Sequence, residues 1–167
     1  MYIIQDSKEI ELTKNYILQA AKVAQYSKCL KSQRGVVIVK NNEIISTGYN
    51  RPTCEGKCCL RENIHTNGQV ELCYGVHAEW MALLNADKEK RAGAWLYHVK
   101  VKKGEAKPSG EPSCTPCSRL ILEAGIAYVV LWHKEGYAVY DANEFNKTSF
   151  KYFEEKEIKQ SGLELFL

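Results

Sequence analysis

The stretch RGVVIVKNNEIISTGYN, residues 34–50, decides the fold of this 167-residue chain. Two runs rich in β-branched residues flank the pair Asn41-Asn42, a pattern that predicts a β-hairpin closed by a tight turn. Before it, residues 8–27 place apolar side chains at helical spacing, which predicts an amphipathic helix. The chain therefore begins as a helix followed by two antiparallel strands.

After the hairpin, helices and strands alternate. The periodicity predicts helices from 77 to between 86 and 90, at 114–125 and at 142–156, and strands at 94–101, 126–133 and 137–141. Connections of this length let the later strands run parallel, so we expect a mixed sheet with helices on both faces. We predict a single domain over residues 1–167, in which 134–167 add a C-terminal strand and helix.

Residues 51–76 interrupt this alternation. They show no sustained period and contain four of the seven cysteines, followed by a polar loop at 102–113 later in the chain. A loop as long as 51–76 inside a compact domain is usually functional or internally tied. We therefore treat this Cys-rich loop as a candidate neighbour of a functional site.

Composition narrows the class of protein. With 45% hydrophobic residues, 26% charged residues and a net charge of +3, the chain suits a small anionic substrate and does not demand nucleic acid. It lacks the ~20-residue apolar run that spans a bilayer, and its N-terminal sequence does not resemble a secretion signal. We therefore expect a cytoplasmic protein with no membrane partner, in which an odd number of cysteines serve as thiols or metal ligands.

The motif PSCTPC, residues 112–117, indicates a metal site. Cys114 and Cys117 are three residues apart in the first turn of a predicted helix, so their side chains point the same way. Ser113 is the expected N-cap, and the helix N-terminus favours the thiolate form that binds metal. Two thiolates supply half of a tetrahedral zinc site, although a pair of reduced thiols under the sheet is the alternative.

A second motif, GVHAEW at residues 75–80, supplies further donors. His77 opens a predicted helix, with Glu79 in its first turn, and both this helix and the Cys helix can begin at one edge of the sheet. One imidazole and two thiolates leave the fourth position of zinc open, as in catalytic sites. Zinc would lower the pKa of a water there, and Glu79 would carry the proton to the leaving group.

Together the two motifs resemble the signature H-x-E…P-C-x-x-C of the zinc-dependent cytidine/deoxycytidylate deaminase superfamily. Residues 27–29, 35–50, 59–79 and 118–126 look like the deoxycytidylate (dCMP) deaminase branch. The resemblance implies a three-layer α-β-α sandwich with a mixed, mostly five-stranded sheet. It also implies zinc-dependent hydrolysis of a cytosine nucleotide, most simply dCMP to dUMP and ammonia, by a homo-oligomer in which a neighbouring subunit completes the pocket.

By the same resemblance, individual residues receive roles. His77, Cys114 and Cys117 would bind the zinc, Glu79 would shuttle protons, Asn50 would hydrogen-bond the sugar, and the backbone at Ala78 and around Ser113 would line the base pocket. Three departures from the family pattern bear on substrate preference. Ser113 separates Pro112 from the first cysteine, Met81 replaces an asparagine, and the run before the cysteines is long, with Lys102, Lys103 and Lys107 as candidate phosphate contacts.

Two alternatives remain at this point. The stretches GYNRP and HAE-x-MAL also resemble the tRNA adenosine deaminases, but such enzymes need a basic surface that a charge of +3 spread along the chain does not provide. A non-catalytic, zinc-stabilised module of the same fold is the other, and it would have no use for Glu79. Separately, a second, structural zinc is a hypothesis for the remaining cysteines and one histidine: Cys29, Cys54, Cys58, Cys59, Cys73 and His65.

Overall fold

The computed structural model describes residues 1–29, 31–53 and 73–161, with side chains up to residue 155. The helices are α1 Ser7–Ala24, α2 Ala78–Asn85, α3 Lys88–Arg91, α4 Thr115–Glu123 and α5 Ala142–Ser161. The strands are β1 Tyr2–Ile3, β2 Gln33–Lys40, β3 Glu43–Tyr49, β4 Arg51–Pro52, β5 Gly75–Val76, β6 Trp95–Lys102, β7 Glu105–Lys107, β8 Tyr128–His133 and β9 Gly136–Asp141. Among the described helices, none is long and apolar enough to cross a membrane.

The main sheet is mixed, in the order β1-β9-β8-β6-β2-β3, with β7 attached to β6. The predicted mixed sheet is confirmed, but it has seven strands rather than five, because β1 pairs with β9 and β7 folds back onto β6. That fold-back turns at Lys103 and Gly104, which both have positive φ. Of the later strands only β8 runs parallel to its neighbour β6, since a short turn makes β9 antiparallel to β8.

Helices cover both faces of the sheet, as predicted. In β2 the alternate residues Val36 and Ile38 pack with α2, α4 and α5, while Val37 and Val39 pack with α1 on the opposite face. The predicted hairpin turn is also present, with Asn41 and Asn42 at φ 51° and 64°. Both of these residues adopt the left-handed conformation that Asn tolerates better than most side chains.

Two glycines of the hairpin let helices lie directly on it. A Cβ added to Gly48 in β3 would be 2.3 Å from Ala82 N in α2, and one added to Gly35 in β2 would be 1.9 Å from Ala20 O in α1. Such distances are far inside van der Waals contact, so only glycine fits at either position. Gly48 therefore fixes how closely α2, and with it His77 and Glu79, approaches the sheet.

Several predicted boundaries need correction. The helix expected over 77–90 is two helices, since Ala86 is extended (ψ 139°) and Asp87 caps α3 by accepting from Glu89 N. Helix α1 ends at Ala24 rather than at 27, and α5 continues to Ser161. The ends of the Cys-rich loop pair as β4 and β5, while 54–72 lie outside the described residues. The single domain over 1–167 stays a prediction.

Candidate active site

The N-termini of α2 and α4 bring the two motifs together. His77 is the N-cap of α2, with extended backbone, and Cys117 lies in the first turn of α4. The predicted N-cap of α4, Ser113, is wrong. Cys114 is the N-cap instead, because its sulfur accepts a hydrogen bond from Cys117 N at 3.4 Å. The cap is therefore itself one of the candidate metal ligands.

The three predicted ligands converge on one point. His77 Nδ1 lies 3.1 Å from Cys117 Sγ and 3.4 Å from Cys114 Sγ, and the two sulfurs are 2.8 Å apart. In the part of the chain that the structure describes, this is the group of His, Cys, Asp or Glu side chains that could hold a metal ion. Two sulfurs and one imidazole nitrogen are a donor set that zinc prefers, with one position left for another ligand.

Contacts within this group shift the pKa values of its three side chains. The hydrogen bond with Cys117 lowers the pKa of Cys114 to about 6, and the hydrogen bond with Cys114 raises the pKa of His77 to about 9. Burial, followed by the hydrogen bond with Cys114 and then by the negative charges of Glu79 and Cys114, raises the pKa of Cys117. Cys114 is thus a thiolate at neutral pH, which is the form that binds metal.

Glu79 lies beside this group, in the first turn of α2. Its side chain is only 13% exposed. Burial raises the pKa of the carboxyl, but the neighbouring imidazoles of His98 and His77, a backbone hydrogen bond and Arg34 outweigh that effect and hold it below its ordinary value. The result is a largely buried carboxylate that is ionised at neutral pH and can accept a proton.

A cavity of 720 Å³ opens over the group. Six of the seven residues predicted from the sequence line it: Asn50, His77, Ala78, Glu79, Ser113 and Cys114. The seventh, Cys117, is fully buried and reaches the site through its contact with His77. A cavity of this size suits a small organic molecule.

Residues 10–133 match the model of the cytidine and deoxycytidylate deaminase zinc-binding region. The chain belongs to this family.

Relatives of known activity share much of its length. The deoxycytidylate deaminase of Mycobacterium phage D29 is 35% identical over 121 residues, which are 66% of this chain and 86% of the phage protein. The deoxycytidylate deaminase of Schizosaccharomyces pombe is 32% identical over 124 residues, 70% of this chain. Those residues are 35% of the yeast protein, so this chain spans about a third of that longer relative.

Solved structures agree with the family assignment. The dCMP deaminase from the cyanophage S-TIM5, in complex with dCMP and dUMP, has a TM-score of 0.53 and 25% identity over 75% of this chain and 82% of the phage chain. The cytidine deaminase from Burkholderia pseudomallei has a TM-score of 0.55 and 20% identity over 79% and 94% of the two chains. The second likeness supports the fold alone, and the expected cytidine deaminase-like architecture is confirmed.

In this deaminase-family chain, the polar network around Asn50 organises one side of the cavity. Its Oδ1 accepts from Arg34 N at 2.8 Å, and its Nδ2 donates to Ser32 O at 2.8 Å. Ser27 Oγ lies 2.8 Å from the same Oδ1. The Asn50 amide therefore holds the segment before β2 against the end of β3, besides lining the cavity.

Arg34, His98 and Ser109 are among the residues of the cavity wall that sequence reasoning missed. For Arg34 and His98 the sequence does contain a signal. In β2 and β6 the side chains that share a face change from apolar to polar toward the cavity, as in Leu96, His98 and Lys100. Ser109 gave no such signal, because it lies in a loop whose path only the structure reveals.

The second-zinc hypothesis is not resolved by these residues. Cys29 and Cys73 are free thiols and both line the cavity. The other candidate ligands, Cys54, Cys58, Cys59 and His65, lie outside the described residues. A second zinc therefore stays a prediction.

Proposed function

We propose that this protein catalyses the hydrolytic deamination of a cytosine nucleotide, converting dCMP and water to dUMP and ammonia. The observation that carries the proposal is a largely buried, ionised Glu79 beside a His-Cys-Cys group at the wall of one cavity. Membership of the deaminase family supports the reaction type. The names of the relatives and the dCMP and dUMP bound in the cyanophage enzyme support the substrate.

In this proposal His77, Cys114 and Cys117 hold a zinc ion. The donor set fits, because all the donor atoms lie within 4.8 Å of one another and comprise one nitrogen and two sulfurs. When bound, zinc supplies Lewis acidity that lowers the pKa of a water toward ~7.

Glu79 moves the protons. As a carboxylate it takes one proton from the attacking water as oxygen bonds to C4 of the base, and it delivers this proton to the ring nitrogen. It then takes the proton of the new C4 hydroxyl and delivers it to the departing amino group. The C4–N bond breaks, ammonia leaves, and C4 keeps the new oxygen as a carbonyl. Because Glu79 ends the cycle ionised, the reaction consumes one water and nothing else.

The remaining predicted contacts orient the nucleotide. Ala78, which is fully buried, and Ser113 would line the base pocket, and Asn50 would meet the sugar with the hydrogen-bonding capacity that its protein contacts leave. Because the Asn50 amide is already fixed by Arg34 and Ser32, it would present that capacity in one orientation.

A nucleotide rather than a nucleoside is favoured by the charge of the cavity. The lysines expected to meet a phosphate, at 102, 103 and 107, do not line it, and Lys107 pairs with Glu105 at 2.6 Å. Other cations do line it: Lys28, Lys31, Arg34, Arg51, Lys100 and Arg119. Arg34 and Lys100 are partners across β2 and β6, and burial together with the charge of Arg34 lowers the pKa of Lys100. An anionic phosphate would relieve this repulsion.

We also propose a cytoplasmic homo-oligomer. A site that needs free thiolates suits a reducing compartment. The oligomer rests on the family resemblance, in which a neighbouring subunit completes the pocket.

The test is a substrate panel with the zinc-loaded protein. We expect uracil product from dCMP in preference to CMP, deoxycytidine and cytidine, with single-stranded nucleic acid and adenosine as the panel members that represent the alternatives. Glu79→Gln should retain zinc and lose activity by at least about 100-fold, since general acid–base catalysis contributes that much or more. Loss of zinc in Glu79→Gln would mean that the carboxylate is a ligand, and a zinc-loaded wild type with no activity on any cytosine nucleotide would overturn the proposal.

A further inference from the structure

A buried histidine in the cavity wall has no role in the reaction proposed above. His98 lies in β6, is 8% exposed, and shares the sheet face of Leu96, on which α2 packs. Its Nε2 is 4.0 Å from Oε1 of Glu79. Both residues line the same cavity, which is the space that a substrate would enter.

Ser109 fixes which nitrogen of the ring carries the proton. The Ser109 hydroxyl donates to His98 O at 3.1 Å, and the same oxygen lies 3.1 Å from His98 Nδ1. With its single hydrogen given to His98 O, the Ser109 oxygen accepts from the ring, which assigns the ring proton to Nδ1. The Nε2 that faces Glu79 is therefore a bare acceptor in the neutral ring.

The ring is neutral at physiological pH. Burial lowers the pKa of His98 to about 4 against a smaller opposing effect of Glu79, and Arg34 and His77 lower it further. His98 and Glu79 are thus not an ion pair at neutral pH. They are two acceptors, one an imidazole nitrogen and the other a carboxylate oxygen.

Two acceptors this far apart match one donor atom with two hydrogens. Hydrogen bonds of about 2.9 Å from a single nitrogen or oxygen to two acceptors span roughly 4 to 5 Å between them. An amino group has two such hydrogens, whereas a carbonyl oxygen has none and would face two lone pairs. The site therefore distinguishes an amine from a carbonyl at the same position.

We propose that His98 Nε2 and Glu79 Oε1 together bind the amino group that leaves and repel the carbonyl oxygen that replaces it, which makes His98 a specificity-determining residue. The inference rests on the proposed function, because it assigns the amino group to cytosine and the carbonyl to the product. Specificity of this kind combines an attraction for one partner with a penalty for the other. It also favours product release.

The test compares substrate and product in the zinc-loaded protein. In His98→Val we expect KM for dCMP to rise about 5-fold, the effect of one lost hydrogen bond, and the inhibition constant of dUMP to fall about 3-fold as the repulsion is removed. The ratio of KM to that inhibition constant then rises more than about 10-fold. A purely structural role would weaken the binding of both nucleotides alike.

Further variants separate the tautomer from the fold. Ser109→Ala frees the ring to carry its proton on Nε2 and should shift the ratio in the same direction by a smaller factor. His98→Gln keeps an acceptor at the same depth and should fall between the wild type and His98→Val. As a matched control, His133→Val removes another buried histidine of the sheet, bonded to Tyr140 at 3.2 Å, and should leave the ratio unchanged.

The outcomes discriminate between the two proposals. A wild type that converts dCMP, with a ratio that stays within about twofold in His98→Val, overturns the role of His98 alone. If His98→Val does not fold, unchanged ratios in both Ser109→Ala and His98→Gln overturn it equally. A zinc-loaded wild type inactive on every cytosine nucleotide overturns the proposed function and this inference together.

Discussion

Glu79 and His77 lie within one helical turn of each other, yet the backbone gives them different surroundings. His77 precedes the first turn of α2 and turns its Nδ1 toward the two sulfurs, whereas Glu79 lies inside the turn, with its Oε1 4.0 Å from His98 Nε2. Two positions along a helix change direction by about 200°, so the spacing H-x-E points the candidate metal donor and the carboxylate in different directions. This is the physical reason that both residues can serve one site.

The buried neutral His98 makes the stability of the protein depend on pH. Its pKa is about 4 in the folded protein and near 6.5 when unfolded, so the unfolded chain binds the extra proton between those values. The contribution is fully present above pH 6.5 and is lost as the pH falls to 4. As the pH falls from 6.5 to 4, the wild type should therefore lose about 3 kcal/mol more stability than His98→Val.

Urea unfolding of both proteins at a series of pH values checks this expectation. A chelator is kept in all samples, so that loss of metal at acid pH does not contribute to the difference. The groups that act on His98, namely Glu79, Arg34 and His77, are the same in both proteins. Parallel stability curves for the two proteins would show that His98 is not buried as a neutral ring.

At the scale of secondary-structure elements, the sequence predicted the helices and strands whose hydrophobic periodicity is strong and local. The hairpin, α1, α4 and β8 are where the patterns indicated them, with ends shifted by a few residues. The four strands that it missed, β1, β4, β5 and β7, are two or three residues long and exist because a partner strand lies beside them. Such short segments have no period of their own, so pairing rather than propensity creates them.

The contact between α2 and β3 is the element-scale feature on which the site depends. Gly48→Ala places a methyl group against the backbone of α2 at Ala82, which must push the helix away from the sheet. We expect a loss of stability of about 1–3 kcal/mol, typical of overpacking, together with weaker zinc binding because His77 begins the displaced helix. Thermal unfolding and a competitive zinc titration measure the two effects.

Gly35→Ala is the matched control for that experiment. It creates the same kind of clash, against Ala20 of α1, but on the opposite face of the sheet. It should lower stability at least as much and leave zinc affinity near that of the wild type. Equal loss of zinc affinity in the two variants would show that the position of α2 does not control the metal group.

At the scale of the whole molecule, the order of elements brings distant motifs to one edge of the sheet. The seven site residues named from the sequence come from β3, α2 and α4 and their flanking residues, and the structure places all of them at or under one cavity. Their mutual approach could be predicted because parallel topology puts helix N-termini at a common edge. The meeting of His98 with Glu79 could not, since it depends on the register between β2 and β6 and on where α2 packs.

The candidate metal ligands His77, Cys114 and Cys117 also join two parts of the fold. His77 belongs to α2 and the two cysteines to α4, so an ion held by all three ties the N-termini of two helices that are far apart in sequence. A ligand that binds only the folded state raises stability by mass action. We expect a chelator to lower the melting temperature of the wild type by several degrees or more, at about 2–4 °C per kcal/mol for a chain of this size.

Two variants show whether this response comes from the three candidate ligands. Cys117→Ser should not respond to the chelator, because one of the three metal donors is replaced. Glu79→Gln should respond as the wild type does, because its carboxylate is not one of the three donors. A chelator response that persists unchanged in Cys117→Ser would place the stabilising ion elsewhere, and the cysteines of the second-zinc hypothesis would be the next to test.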